Sequence, residues 1–389
     1  MHATSTDTRT GRAPRSLLRE LRSPGEALSN LTPNWFASVM GTGIIANATV
    51  GLPVHFPGQR TVAAAVWALA TILLAVLTAA TVAHWVRYPA YARRHHRDPV
   101  IGNFYGAMAM AFLTVGIGAV LVGRDWIGPT AALTLGTALW VIGSVLGLVF
   151  AVVIPVLMLR GGHYRGDAAF AGWLMPVVSP MVTAAGGAVL LPYAPAGVIR
   201  TSLLWISYGC FAFTLLTSLI VLPPVILRLL RGPAWAPAMI PTAWIVLGPL
   251  GQSITAANGL GSTAHLAVGA DLAAGLEHFG TDYGWAVTVP VLMWTAVALT
   301  LTAHTAMGTT HGLPYALTWW SFTFPVGTCA TGFSAMAGAT GAAGYTALAL
   351  AYFGGLVLGW IVAARGTVPR ALGSGALLRH PELAPRTAS

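Results

Sequence analysis

Ten runs of apolar sequence leave little room for any fold except a bundle of membrane helices. They cover 33–51, 61–86, 101–122, 129–159, 168–191, 199–227, 237–262, 283–304, 313–336 and 342–364. A helix needs roughly 20 such residues to cross the hydrocarbon core, and several runs exceed this, so tilt or extension past the bilayer follows. Only 8% of residues are charged, against about 25% in soluble domains. A chain this poor in charge cannot clothe an aqueous surface, and its partner is the lipid bilayer. The expected fold is an all-α integral membrane protein of ten transmembrane helices. The connecting loops are short except around 263–282.

Orientation follows from the basic residues. All 20 are arginine, and the net charge is +10. With the N-terminus placed inside, only Arg60, Arg124 and Arg200 fall on the outer side. The cluster Arg87, Arg93, Arg94 and Arg97 falls on the cytoplasmic side, and Asp271, Glu277 and Asp282 fall outside. This pattern requires an even number of spans with both ends cytoplasmic in the cell (plasma) membrane. The same rule explains the basic balance without a nucleic-acid partner. Cys210 and Cys329 lie inside apolar runs, which argues against a disulfide framework or metal site. The first 30 residues are polar, with no apolar stretch of the kind a cleavable signal needs. The expected organisation is therefore a disordered cytoplasmic tail over 1–30, a ten-helix domain over 31–365 and a second disordered tail over 366–389.

The ten runs repeat in pairs. Aromatic residues stand near the start of each odd-numbered run: Trp35-Phe36, Phe104-Tyr105, Trp173, Trp244 and Trp319-Trp320, at intervals of 69, 69, 71 and 76 residues. A general aromatic belt accounts for the residue type but not for the near-constant spacing. The reading is five helical hairpins in a quasi-five-fold arrangement, all starting from one side, around an axis that leaves a central pore. The odd helices carry the prolines Pro176, Pro180, Pro241, Pro249 and Pro325. Broken backbone at membrane depth belongs inside a protein or against a watery cavity. The odd helices are therefore placed inside and the even ones outside, with kinks at Pro176, Pro249 and Pro325.

Superposing the five copies on their aromatics brings Val39, Met108, Val177, Gly248 and Phe324 into register. Steps of four and then three residues extend that face to Gly43 and Ala46, Phe112 and Val115, Met181 and Ala184, Gln252 and Thr255, Thr328 and Thr331. Such a wall is small, apolar or neutral-polar and uncharged, so it can gate by dewetting or by a plug. Phe324 is the largest side chain in the ring of five that starts this face: a gate, or equally a packing residue between helices. Gln252, Ser253, Thr255 and Asn258 make the seventh run the most polar of the inner set. Their donors could replace an anion's water or simply bond neighbouring helices.

Other signals are weaker. GTGIIA (41–46) imitates a dinucleotide fingerprint but sits inside a span. NLT (30–32) and NAT (47–49) are chance glycosylation triplets. GSVLG (143–147) suits close helix packing, including between subunits. An intramembrane enzyme would need clustered acids or histidines, and His265, Asp271, Glu277, His278 and Asp282 are the candidates, without a metal-ligand motif. No cofactor, metal or catalytic residue is expected.

Two motifs carry a family resemblance. NWFASVMGTGI (34–44) resembles the first helix of the yeast malate and sulfite transporters. WWSFTFP (319–325) resembles the ninth-helix motif of the plant guard-cell slow anion channels and their bacterial tellurite-resistance relatives. All belong to the tellurite-resistance/dicarboxylate transporter superfamily, and the resemblance spans residues 30–365. It implies five hairpins around a central pore, one pore per subunit of a homotrimer, and a gating phenylalanine just before the ninth-helix proline, at Phe324. It also implies small anions as substrates: C4-dicarboxylates such as malate, sulfite, tellurite-type oxyanions or halides. No acid or arginine lies in any odd run, so neither a cation-attracting ring nor a tight fixed-charge anion site is present. The arginine-rich inner surface favours anions leaving the cell, although topology alone explains the same arginines. A proton-coupled carrier usually wants an ionisable group at mid-membrane, and none is central. That leans toward a facilitated pathway and leaves coupling open.

Overall fold

The computed structural model describes residues 18, 20–21, 24–232, 235–310 and 312–379. Among them there is no strand, and ten helices have 14 residues or more. They are α1 (Phe36–Gly51), α2 (Gln59–Arg87), α3 (Tyr105–Gly118), α4 (Pro129–Arg160), α5 (Leu174–Leu190), α6 (Val198–Arg231), α7 (Leu247–Thr263), α8 (Ala270–Gly308), α9 (Phe324–Thr340) and α10 (Ala343–Val368). Seven are long and apolar enough to cross a membrane: α2, α4, α6, α8 and α10, with α3 and α5 counted together with their short flanking turns.

Sequence order and burial alternate. The odd-numbered helices are almost wholly buried, whereas the even-numbered spans bury only 11 to 33% of their most apolar window. The even helices expose Ile72, Val76, Val152, Leu219, Ile220 and Met293, an apolar surface suited to lipid rather than water. Each odd helix packs against the even helix that follows it. The odd helices also touch one another in a closed cycle: α1 on α3, α3 on α5, α5 on α7, α7 on α9 and α9 back on α1.

Because lipid is as apolar as leucine, helix association in a membrane needs close packing and interhelical hydrogen bonds. Four even helices each drive an indole N–H into the inner set. Trp67 of α2 donates to Val115 O at 3.1 Å, Trp140 of α4 to Thr183 O at 3.0 Å, and Trp294 of α8 to Ala243 O at 2.9 Å. Trp360 of α10 closes the cycle by donating to Thr42 Oγ1 of α1 at 2.9 Å. From α6, Thr214 Oγ1 donates to Val177 O at 2.9 Å. Small residues set the closest approach. A Cβ on Gly251 of α7 would overlap the backbone nitrogen of Cys329 in α9. The glycines of GSVLG serve the same purpose within the chain, not between subunits: Gly143 faces Ala109 and Leu113 of α3, and Gly147 faces Ser179 of α5.

The prolines correct the expected kinks. Pro176 and Pro249 are the third residues of α5 and α7, and Pro325 is the second of α9. The first turn of a helix has no intrahelical acceptor for its N–H groups, so proline there costs no bond. These three start helices instead of bending them, while Pro180 does lie inside α5. Ahead of the odd helices run 3₁₀ turns: Pro33–Trp35, Ile101–Phe104, Ala171–Trp173, Pro237–Val246 and Leu317–Phe322. They lengthen α1, α7 and α9, which have only 16, 17 and 17 α-helical residues. The expected loop over 263–282 is mostly helix, since α8 begins at Ala270 and carries Asp271, Glu277 and Asp282 in its first turns. The expected tails are also shorter: Pro24–Ser29 is helical, and α10 continues through a π turn at Pro369–Gly373.

Between α2 and α3 the chain folds back through the helix Pro89–His95. There His84 and His95 stack with centroids 5.3 Å apart, and His96 lies 4.5 Å from Tyr105 and 5.1 Å from Trp85. His84 Nδ1 pairs with Leu28 O at 2.8 Å, tying the N-terminal helix to α2. Burial, and then the neighbouring His84, lowers His95 to about 4. A histidine whose folded value is depressed stabilises the fold above its ordinary value near 6.5, and that contribution disappears as pH falls toward 4. Thermal unfolding in detergent should therefore lose stability between pH 6.5 and 4, and His95→Gln should flatten that slope. Gly251→Ala should lower stability by about 1–3 kcal/mol, the usual cost of forcing atoms into a packed contact, read as a fall in Tm.

Candidate functional site

The five odd helices enclose a cavity of about 250 Å³, and every one of them contributes to its wall. α1 supplies Ile44, Asn47 and Gly51. α3 supplies Thr114 and Ile117, with Leu121 from the turn beyond it. α5 supplies Val182, Ala185 and Val189, and α7 supplies Gln252 and Thr255. α9 supplies Phe324, Thr331, Ser334 and Ala335. No wall residue is ionisable. The α5 side is wholly apolar, and the polar groups lie on α1, α3, α7 and α9.

Local sequence explains how each side chain is placed. Phe324 is the first residue of α9, held between the 3₁₀ turn Leu317–Phe322 and Pro325. It is only 2% exposed. Thr323 donates to Trp320 O at 2.6 Å and so closes the turn behind it. A Cβ on Gly41 would overlap the Thr323 hydroxyl and press on the Trp320 ring. The glycine of the first-helix motif is thus the seat on which the ninth-helix motif rests. Gly43, two residues on, packs against Thr114 of α3.

The polar side divides into bonded and unbonded groups. The hydroxyls of Thr255 and Thr331 pair at 2.8 Å across α7 and α9, and Thr331 also donates to Thr328 O at 3.0 Å. Asn47 Nδ2 donates to Thr114 O at 3.1 Å, which fixes its amide with the oxygen as a free acceptor. Asn47 Oδ1, Gln252 Oε1 and Ser334 Oγ have no hydrogen-bond partner. Gln252 is 4% exposed. A buried, unpaired polar atom costs on the order of 1–3 kcal/mol, so water or a bound solute in this cavity has groups to satisfy.

Of the face expected from sequence, Gln252, Thr255 and Phe324 line the cavity, with Thr331 beside them. The others do not. Val39 and Val177 are buried in the main apolar core, and Met181 packs in a second cluster with α6 and α7. Met108 and Phe112 are half-buried against the core. The nearest atom to a Cβ on Gly248 would be Val178 Cγ1, at 3.9 Å. Thr328 turns toward α7 and donates to Leu247 O and Gly248 O at 3.3 and 3.4 Å.

The error is rotational. The wall uses Ile44 and Asn47 where Gly43 and Ala46 were expected, and Val182 and Ala185 where Met181 and Ala184 were. One residue corresponds to about 100° of helix. The aromatic landmarks cause it, since they sit in 3₁₀ turns of three or four residues before α1, α3 and α5 but of ten and six before α7 and α9. Such turns advance three residues per revolution instead of 3.6, so a face carried back from Phe324 drifts. Asn47 was visible in NAT as a polar residue inside an apolar run. Ser253 and Asn258 are structural: Ser253 bonds Leu250 O, and Asn258 bonds Ile254 O, Gly280 O and Met336 Sδ.

A family model described as voltage-dependent anion channel, SLAC1, matches residues 30–368. The chain belongs to the SLAC1 family. Its resemblance to the tellurite-resistance/dicarboxylate transporters, seen in two motifs, thereby extends over the whole helical region. An uncharacterized transporter of Methanocaldococcus jannaschii is 27% identical over 301 residues, 77% of this chain and 83% of the relative. A second from that organism is 26% identical over 312 residues, covering 80% and 85%. A sulfite efflux pump of Arthroderma otae is 25% identical over 315 residues, covering 78% and 81%. In this SLAC1 member the two motifs meet in space, because Gly41 abuts Thr323 beside Phe324.

The Thr255–Thr331 pair gives a direct test of the α7–α9 seam. A double-mutant cycle with valine at both positions should return a coupling of about 0.6 kcal/mol, typical of interhelical bonds in membranes, when unfolding is followed in mixed micelles.

Proposed function

We propose that this protein moves small anions across the cell membrane through the central cavity, with Phe324 as the gate. The carrying observation is a cavity built by all five odd helices, uncharged throughout and bordered at the first residue of α9 by a fully buried phenyl ring. Family membership supports anion transport, and the relative named as a sulfite efflux pump supports a small oxyanion. Sulfite is the first substrate to test, followed by malate and other C4-dicarboxylates, tellurite-type oxyanions and halides.

The proposed architecture is ten spans in five hairpins with quasi-five-fold order, both termini in the cytoplasm and three copies per assembly, each with its own pore. The closed cycle of odd helices and their pairing with α2, α4, α6, α8 and α10 support this arrangement. Gln252 and the Thr255–Thr331 pair are the proposed contacts along the path, where amide and hydroxyl groups stand in for water around the anion. An uncharged wall suits a hydrated or singly charged anion in transit, since conduction needs binding weak enough to let the ion leave.

A proton-coupled carrier is the second reading. The wall holds no acid, histidine or arginine, so coupling would have to use a protonated substrate, which sulfite and malate both offer. Family membership and the relatives named as transporters favour transport over an intramembrane enzyme.

Phe324→Ala should raise sulfite or chloride flux in proteoliposomes tenfold or more over the unaltered protein. Flux unchanged or lost, in a variant whose Tm is preserved, would assign the ring to packing. Imposing a pH gradient separates the two transport readings, because only the carrier should accumulate substrate against its own gradient.

A further inference from the structure

A wider cavity of about 470 Å³ adjoins the central one and shares Leu121 and Val189 with it. Its rim carries Arg60, Arg124 and Asp125. Two of the three arginines that break the inside rule therefore converge on one opening. Topology does not ask for them, because positive charge on this side works against the preferred orientation.

The two arginines are held differently. Arg60 pairs through Nε with Asp125 Oδ2 at 2.5 Å, and its Nη2 donates to Leu121 O at 3.0 Å. Arg124 forms no ion pair with a carboxylate among the described residues. Its Nη1 donates to the Tyr193 hydroxyl at 3.2 Å. Both contacts are organised by a π turn, Ala119–Gly123, at the end of α3. Such turns insert an extra residue into a helix and recur at functional sites. Here the turn sends Leu121 into the central wall and delivers Arg124 to the rim.

We propose that Arg124 is the anion-receiving group of this mouth, and that Asp125 sets its strength by neutralising Arg60. The ligand class is a small inorganic oxyanion. A guanidinium is permanently charged, weakly hydrated and shaped to meet two oxygens at once. One uncompensated positive charge concentrates anions within about 8 Å at physiological salt, close to a passage whose wall has no charge. Two would hold the anion longer than transport tolerates. The inference rests on the transport reading above but is separable from it.

The test is tracer sulfite exchange in proteoliposomes with equal sulfite on both faces, so that protein orientation does not matter. At low ionic strength Arg124→Gln should raise the half-saturating concentration severalfold, Asp125→Asn should lower it, and Arg124→Lys should restore it. High salt should shrink all three differences. A second measurement needs no transport. Trp126 is 65% exposed beside the pair, so its fluorescence, taken as the difference from Trp126→Phe, reports the local anion concentration through iodide quenching. Arg124→Gln should weaken iodide quenching and leave quenching by neutral acrylamide unchanged. If exchange is absent but iodide quenching depends on Arg124 as stated, the mouth site stands and the transport reading falls. If Arg124→Gln changes neither half-saturation nor iodide quenching, or Arg124→Lys behaves like Arg124→Gln in both, the site is refuted.

Discussion

Backbone polar groups inside a membrane protein must be satisfied without bulk water, and this requirement shapes the whole molecule. The five buried helices begin as 3₁₀ turns, and Pro176, Pro249 and Pro325 occupy first turns where no bond is lost. The broken backbone at these helix starts is packed against a neighbour, as Thr318 Oγ1 shows by donating to Ala238 O at 2.6 Å between two such turns. Most of the remaining inner backbone is regular helix, with Pro180 of α5 as an interruption. The cavity wall can then be written entirely in side chains.

That division explains why small residues and tryptophans carry the assembly. Helices that enclose a void lose packing on one face and must recover it on the others. Gly251 lets α7 meet the α9 backbone, and Gly41 seats Thr323. Indole donors from α2, α4, α8 and α10 tie the outer layer to the inner one. Trp67 and Trp140 each join an even helix to the odd helix that follows, while Trp360 joins the last helix to the first. The cycle is closed by directed bonds as well as by contact.

The sequence was most legible where the physics is periodic and coarse. Long apolar runs and scarce charge located all ten helices, although α7, α8 and α9 start ten or more residues from the expected positions, and the order of odd and even runs separated buried helices from exposed ones. Gln252 and Thr255 were found because polar residues in an apolar run stand out, and Phe324 because a bulky ring beside proline does. The faces of α1, α3 and α5 were not legible. Their rotation depends on how many residues wind at three per turn before the α-helix begins, and nothing in PNW or AGW announces that number. Helix starts were mistaken for kinks for a related reason. A proline states that a donor is missing but not whether the position had an acceptor to lose.

The placement of charge follows from the same constraint. An ionised group in the wall would have been buried at a cost of several kcal/mol unless paired, and a paired group would neither attract an anion nor let it pass. A neutral wall with hydroxyls and amides avoids that cost and accepts weak contact in return. Attraction must then come from where water still screens and stabilises the charge, at the ends of the passage. Arg60, Arg124 and Asp125 lie at one end in surroundings wet enough for Arg60 and Asp125 to keep 54% and 39% of their side-chain surface. Affinity at the rim and permissiveness within are therefore separate functions of separate residues. The short distance between them is set by the π turn that places Leu121 on one side and Arg124 on the other.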